Sequence, residues 1–185
     1  MLQWLREAVS ALPSKYANLL LLCTLTGMRG TECVEAVELI NQLQFGSKLS
    51  SGTQYYNPER QILQHYLYPE IFIRRTKAIY ISMVNDEIIG IAKKIGQNSL
   101  KALERALMRR CLNMRIKYCR KIHASYLHSK GISSDLIDML QGRISKNIFL
   151  RHYLVPDSSF KTRVLDAVLE LQKEITEVVA IMDKA

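Results

Sequence analysis

Apolar residues recur at helical spacing through Leu2–Met28, and Pro13 interrupts them, which predicts two short helices with the proline in the first turn of the second. Gly27 is placed to end that helix, Thr31 to cap the next, and Glu32–Leu43 to continue it. Turn formers crowd Phe45–Thr53, which reads as a loop. From Tyr68 to Val84 the pattern alternates and is rich in β-branched and aromatic residues, predicting two strands that turn near Arg75–Lys77. Gln61–Leu67 reads equally as a third strand or a helix end. Helical spacing then returns in Asp86–Ile95, Ser99–Leu112, Met114–Ser129 and Ser133–Leu140, with Gly131 and Gly142 as punctuation. The fold class is therefore mainly α with a small antiparallel β-hairpin or three-stranded sheet.

The last segment, Ser159–Lys184, carries Val164, Val168, Leu171, Ile175, Val178 and Met182 at alternating steps of four and three, the period of a narrow helical seam. Such a seam needs a partner: either this chain's own core or a neighbouring subunit. With 185 residues the chain reads as one domain, 1–158 forming a core and 159–185 the closing helix.

Composition narrows the class. Apolar residues at 48% and charged residues at 23% exclude disorder as a general description. The longest strongly apolar run, Tyr16–Leu25, falls short of the roughly 20 residues that span a bilayer. The four cysteines have no CxxC pairing or nearby histidine pair, so reduced thiols in an intracellular protein are expected, with neither metal nor cofactor. A formal charge of +9 favours a polyanionic partner.

That charge is concentrated. Arg105, Arg109, Arg110, Arg115, Lys117, Arg120 and Lys121 lie in a stretch without an acidic residue. On a helix, Tyr118, Cys119, Ile122 and Tyr126 share an apolar arc, opposite Lys117, Arg120 and Lys121. Charge alone fits a solvated face as well as a binding one.

Five ordered fragments add a resemblance. Thr26-Gly-Met-Arg-Gly-Thr-Glu32 resembles the first box, T-G-x-R-x-x-E, of the tyrosine recombinase catalytic domain. Arg75-Thr-Lys77-Ala-Ile-Tyr-Ile is similar to that family's lysine-bearing hairpin, and Lys117-Tyr-Cys-Arg120 to its H-x-x-R box with lysine in place of histidine. Leu140-Gln-Gly-Arg143 resembles the L-G-H turn, with arginine in place of histidine or tryptophan, and Leu150-Arg-His-Tyr153 follows at the nucleophile's spacing. Lys-x-x-Arg together with Gln-Gly-Arg looks particularly like integrases of archaeal viruses and plasmids.

The resemblance implies the tyrosine recombinase catalytic-domain fold and a site-specific recombinase working through a 3′-phosphotyrosine. Tyr153 would be the nucleophile, Arg29 and Arg120 the clamp on the phosphate oxygens, and Arg143 a third positive contact. Lys117 would neutralise charge or accept the phenolic proton, Lys77 would protonate the leaving 5′-oxygen, and Glu32 would orient Arg29. Arg109, Arg110, Arg115, Lys121 and Lys146 would hold double-stranded DNA, and four protomers would assemble on two duplexes. No membrane is implied, the setting is cytoplasmic, and an amino-terminal core-binding domain is expected to be absent. Two other readings stay open: a non-catalytic helix-turn-helix module built on Ser133–Leu140 and Lys146–Tyr153, and a type IB topoisomerase-like relaxing enzyme.

Overall fold

The computed structural model describes residues 1–42, 54–74, 77–112, 115–143 and 159–182, with side chains of the last helix described as far as Glu177. The expected loop at 45–53, the second half of the helix-turn-helix reading, Lys146 and Tyr153 lie outside these residues.

Helices α1 (Leu2–Ala11) and α2 (Ser14–Thr26) flank Pro13 as expected. The proline stands just before α2 rather than inside it, its carbonyl accepting from Tyr16 N at 2.9 Å and Ala17 N at 3.1 Å. Every residue from Leu19 to Thr26 is buried, so this stretch of α2 has no solvent face and must be enclosed. Its walls are α1, α3 (Gly30–Gln42), α5 (Asp86–Lys93), α7 (Lys117–Ser129) and the last helix, Phe160–Met182. Asn85 caps α5 by accepting from Ile88 N at 3.0 Å, and Ser99 caps α6 (Leu100–Met108) by accepting from Ala102 N at 3.3 Å. Helix α8 (Ser134–Leu140) follows the left-handed turn at Gly131.

The β structure is more divided than the alternation predicts. Strands β1 (Tyr56–Asn57), β2 (Ile62–Gln64) and β5 (Ile81–Met83) form one antiparallel sheet in that order, with Ile62 opposite Met83. Strands β3 (Ile73–Arg74) and β4 (Lys77–Ala78) pair antiparallel as a separate two-stranded unit, with Arg74 opposite Lys77. Pro69, at the first position of a helical turn, α4 (Pro69–Phe72), shortens the first expected strand. The second divides because Ile79 N bonds Phe72 O at 3.2 Å while Tyr80 O accepts from Tyr66 N at 3.2 Å, so the chain changes partners there. Segment 61–67 is both things at once, strand β2 and then a 3₁₀ turn at His65–Leu67.

The seam of the last helix docks at home. Val164, Val168, Leu171 and Ile175 are all but fully buried in this chain's core, the helix lying against α1, α2, α7 and β5. Polar contacts fix its register: Arg6 donates to Glu174 O at 2.9 and 3.1 Å, Tyr126 Oη donates to Glu174 Oε1 at 2.7 Å, and Lys130 pairs with Glu170. The side chains of Val178 and Met182 lie beyond the described ones.

Two buried histidines give this core a pH dependence. His65 lies between the Tyr55 hydroxyl, 2.8 Å from Nδ1, and Ser82 Oγ, 2.9 Å from Nε2, and burial pulls its pKa down to about 3. Burial likewise pulls His123 down to about 4, against a raising contribution from Thr24 O and helped by the Arg120 charge. Both rings are neutral when folded, whereas the unfolded rings titrate near 6.5, so their stability contribution is complete above about pH 6.5 and is lost as pH falls towards 4 and below. Each should remove about 1.4 kcal/mol per pH unit within its window. Urea unfolding at pH 7 to 4.5 should show this decline, and His123→Phe should make it shallower by about one proton's share; an unchanged slope would contradict it.

Candidate active site

The first candidate arginine sits where α2 hands over to α3. Gly27 ends α2 in the left-handed region, φ +65°, and a Cβ there would come within 2.6 Å of His123 Cδ2, so this turn is built for glycine. Arg29 follows, held by Glu32 of the first turn of α3: Oε2 accepts from Arg29 N at 2.9 Å and Oε1 pairs with Nη1 at 2.5 Å. Thr31 is exposed inside α3 and does not cap it; the reach-back of a buried Glu32 takes that place.

Helix α7 supplies the second and third cations. Lys117 opens the helix and is exposed, as is Lys121, and the two ammonium groups lie 5.9 and 4.9 Å from the Tyr118 ring centroid. Arg120 does not share their solvent front as the helical wheel suggests. Its flank of α7 meets the turn after α8, where Arg120 Nη2 donates to Gln141 O at 2.7 Å and Gln141 Nε2 donates back to Arg120 O at 2.8 Å. Burial first, and then the like charges of Arg29 and Arg143 against the opposing Glu32, draw the Arg120 pKa down to about 10. Its buried helical neighbours are Cys119, Ile122 and His123.

The same turn brings in Arg143 and Lys77. Gly142 has φ +65°, its carbonyl accepts from Ala78 N at 3.2 Å, and Lys77 forms an antiparallel bridge with Arg143. A Cβ on Gly142 would lie 2.8 Å from Ile79 N and 2.9 Å from Ala78 C, so close backbone approach requires glycine. Arg143 Nη1 donates to Asp138 Oδ1 at 2.8 Å across an exposed pair. Hairpin and turn are thus one unit, with Lys77 and Arg143 on neighbouring backbones.

Arg29, Lys117 and Arg120 line one cleft of about 340 Å³, together with Met28, Gly30, Thr31, Leu100, Glu104 and Ile116. Such a pocket, with permanent guanidinium donors beside apolar side chains, suits an anion with several oxygens, since an arginine fork matches such oxygens and cannot lose its charge. Arg109, Arg110, Arg115 and Lys121 are all exposed. Arg110 is committed elsewhere: its Nε donates to Ala11 O at 2.6 Å, tying the end of α6 to the end of α1. Among the described residues no group of three or more His, Cys, Asp or Glu could hold a metal ion, and all four cysteines are free.

Sequence reasoning missed Glu104, Asp138, Gln141 and His123. Glu104 stands one residue before the acid-free stretch, and Asp138 five before Arg143, so each was visible only as a lone carboxylate. Gln141 had a signal, the x of the Leu-x-Gly turn, but nothing in its spacing points to Arg120.

Gly142→Ala tests the hairpin junction. The left-handed backbone alone should cost about 1–2 kcal/mol, and the contact with Ile79 N adds to it. Thermal unfolding should show that loss, whereas Gly96→Ala, also at positive φ but with open space around it, should lose less.

Residues 51–161, more than half of the chain, match the model of a family described as archaeal phage integrase. The match spans Lys77, Lys117, Arg120, Arg143 and Tyr153, and Arg29 and Glu32 precede it. No curated protein and no solved structure matches the chain.

Proposed function

Because the chain belongs to the archaeal phage integrase family, we propose that it is a site-specific DNA recombinase that cuts and rejoins strands through a 3′-phosphotyrosine on Tyr153. One observation carries this: Arg29, Lys117 and Arg120, drawn from the α2–α3 turn and from α7, line a single cleft, with Arg143 near enough to lower the Arg120 pKa. Those cations suit a phosphodiester whose non-bridging oxygens gain negative charge in the transition state.

In the reaction the Tyr153 phenol gives its proton to Lys117 or to water and its oxygen attacks phosphorus, while the bond from phosphorus to the 5′-oxygen breaks; on reversal that proton returns to the departing phenolate. A phenol has a pKa near 10, so surrounding positive charge is what makes the phenolate accessible near neutrality. Lys77 delivers a proton to the departing oxygen, a role suited to an exposed ammonium on a short hairpin. Attack by a 5′-hydroxyl on the phosphotyrosine re-forms the diester, returns the proton to Lys77 and frees the phenol, so strand exchange needs no external energy source. Arg109, Arg115 and Lys121 hold the duplex by its phosphates, and four protomers assemble on two duplexes. Affinity is expected to fall steeply with salt.

A suicide substrate, nicked so that the cut end diffuses away, should trap a denaturation-resistant adduct. Tyr153→Phe should give none, and Arg120→Ala should slow adduct formation by about 10²–10³-fold. Binding without any adduct would instead support a non-catalytic module.

The leaving-group role has its own test. Lys77→Ala should lose cleavage of ordinary DNA and regain it on a 5′-bridging phosphorothiolate, whose sulfur departs without a proton. No recovery on the sulfur substrate would remove Lys77 from that role.

A further inference from the structure

His123 is outside the cleft, yet it touches the segment that carries one clamp arginine and shares a helix with the other. Its Nδ1 lies 3.0 Å from Thr24 O. A carbonyl only accepts, so Nδ1 carries the proton and Nε2 is the bare nitrogen. Thr24 is in the last turn of α2, where helical carbonyls lack partners along the helix, so His123 supplies from α7 the donor that α2 cannot. The ring then lies against Gly27, whose missing Cβ would sit 2.9 Å from Nε2. Nε2 itself is buried without a hydrogen-bond partner, an arrangement that a purely structural side chain would avoid by being apolar.

Two residues beyond Gly27 comes Arg29, and one helical turn before His123 comes Arg120. We infer that His123 is a positioning residue: its bond to Thr24, made from a ring seated against Gly27, sets the distance between the Arg29 turn and the Arg120 helix. Glu32 fixes Arg29 within its own turn, and Gln141 fixes Arg120 towards the hairpin. Neither spans from α2 to α7; His123 does. The inference deepens the proposed recombinase reading and rests on it only for the size of the catalytic effect.

Two variants separate the bond from the bulk. His123→Phe keeps the ring against Gly27 but removes the donor, and it also removes the orphaned nitrogen, so the fold should survive. His123→Asn sacrifices bulk but places an amide N–H near the Nδ1 position. With a suicide substrate at saturating DNA, His123→Phe should slow single-turnover cleavage by about 10²-fold, the usual cost of displacing a reacting constellation by about 1 Å. DNA affinity should be unchanged, and His123→Asn should recover most of the rate. Side-chain Nε–H resonances of Arg29 and Arg120 in the ¹⁵N-labelled protein supply a readout free of catalysis: both should shift in the Phe variant and return in the Asn variant. If the wild type cleaves nothing, the recombinase reading fails while those resonances still decide the positioning role. Wild-type resonances in His123→Phe, or equal losses in both variants, would overturn it.

Discussion

A guanidinium cannot give up its charge to enter a protein, so a half-buried Arg120 beside two other arginines has to be compensated by fixed oxygen atoms. The compensation is specific. Gln141 O accepts from Arg120, Gln141 Nε2 reaches back to the Arg120 carbonyl, and Glu32 supplies the counter-charge through Arg29. Because Gln141 belongs to the turn whose Gly142 accepts from Ala78 and whose Arg143 bridges to Lys77, satisfying this one cation fixes α7, the turn after α8 and the lysine hairpin relative to each other. The cost of desolvating Arg120 is accepted where its charge is useful, at the edge of an apolar core and a few residues from open solvent.

That core is arranged to make such an edge rigid. From Leu19 onward helix α2 is enclosed on every side, and its left-handed end at Gly27 projects Arg29 from that buried stretch. The last helix closes the opposite side with a buried seam and polar ties to α1 and α7. Buried backbone under the arginines and a short hairpin carrying an exposed Lys77 suit the proposed division of labour, in which charge is preorganised and a proton donor approaches late.

Much of this was legible beforehand. The helices, the glycine stops at Gly27, Gly131 and Gly142, and the pairing of two short strands follow from periodicity and turn chemistry, and of the box cations Arg29, Lys117 and Arg120 line one cleft. The exceptions share a cause. Strand partners at Ile79–Tyr80, the flank occupied by Arg120 and the role of Gln141 are decided by contacts between distant segments, which spacing along one helix or strand cannot express. The same applies to Arg110, a cation indistinguishable in sequence from its neighbours until Ala11 O claims it. His123 is an ordinary helix residue in sequence, and only its bond to Thr24 O and its approach to Gly27 show what it touches.

In the proposed reaction the Arg29–Arg120 pair acts by neutralising charge on the non-bridging oxygens of a DNA phosphate. Replacing one such oxygen at the cleavage position by a methyl group removes that charge from the substrate itself. Adduct formation by the arginine-to-alanine variants, measured on this methylphosphonate and on ordinary DNA, is the direct comparison. The expected result is a far smaller penalty on the uncharged substrate; an equal penalty on both would show that these arginines do something other than hold a charged phosphate.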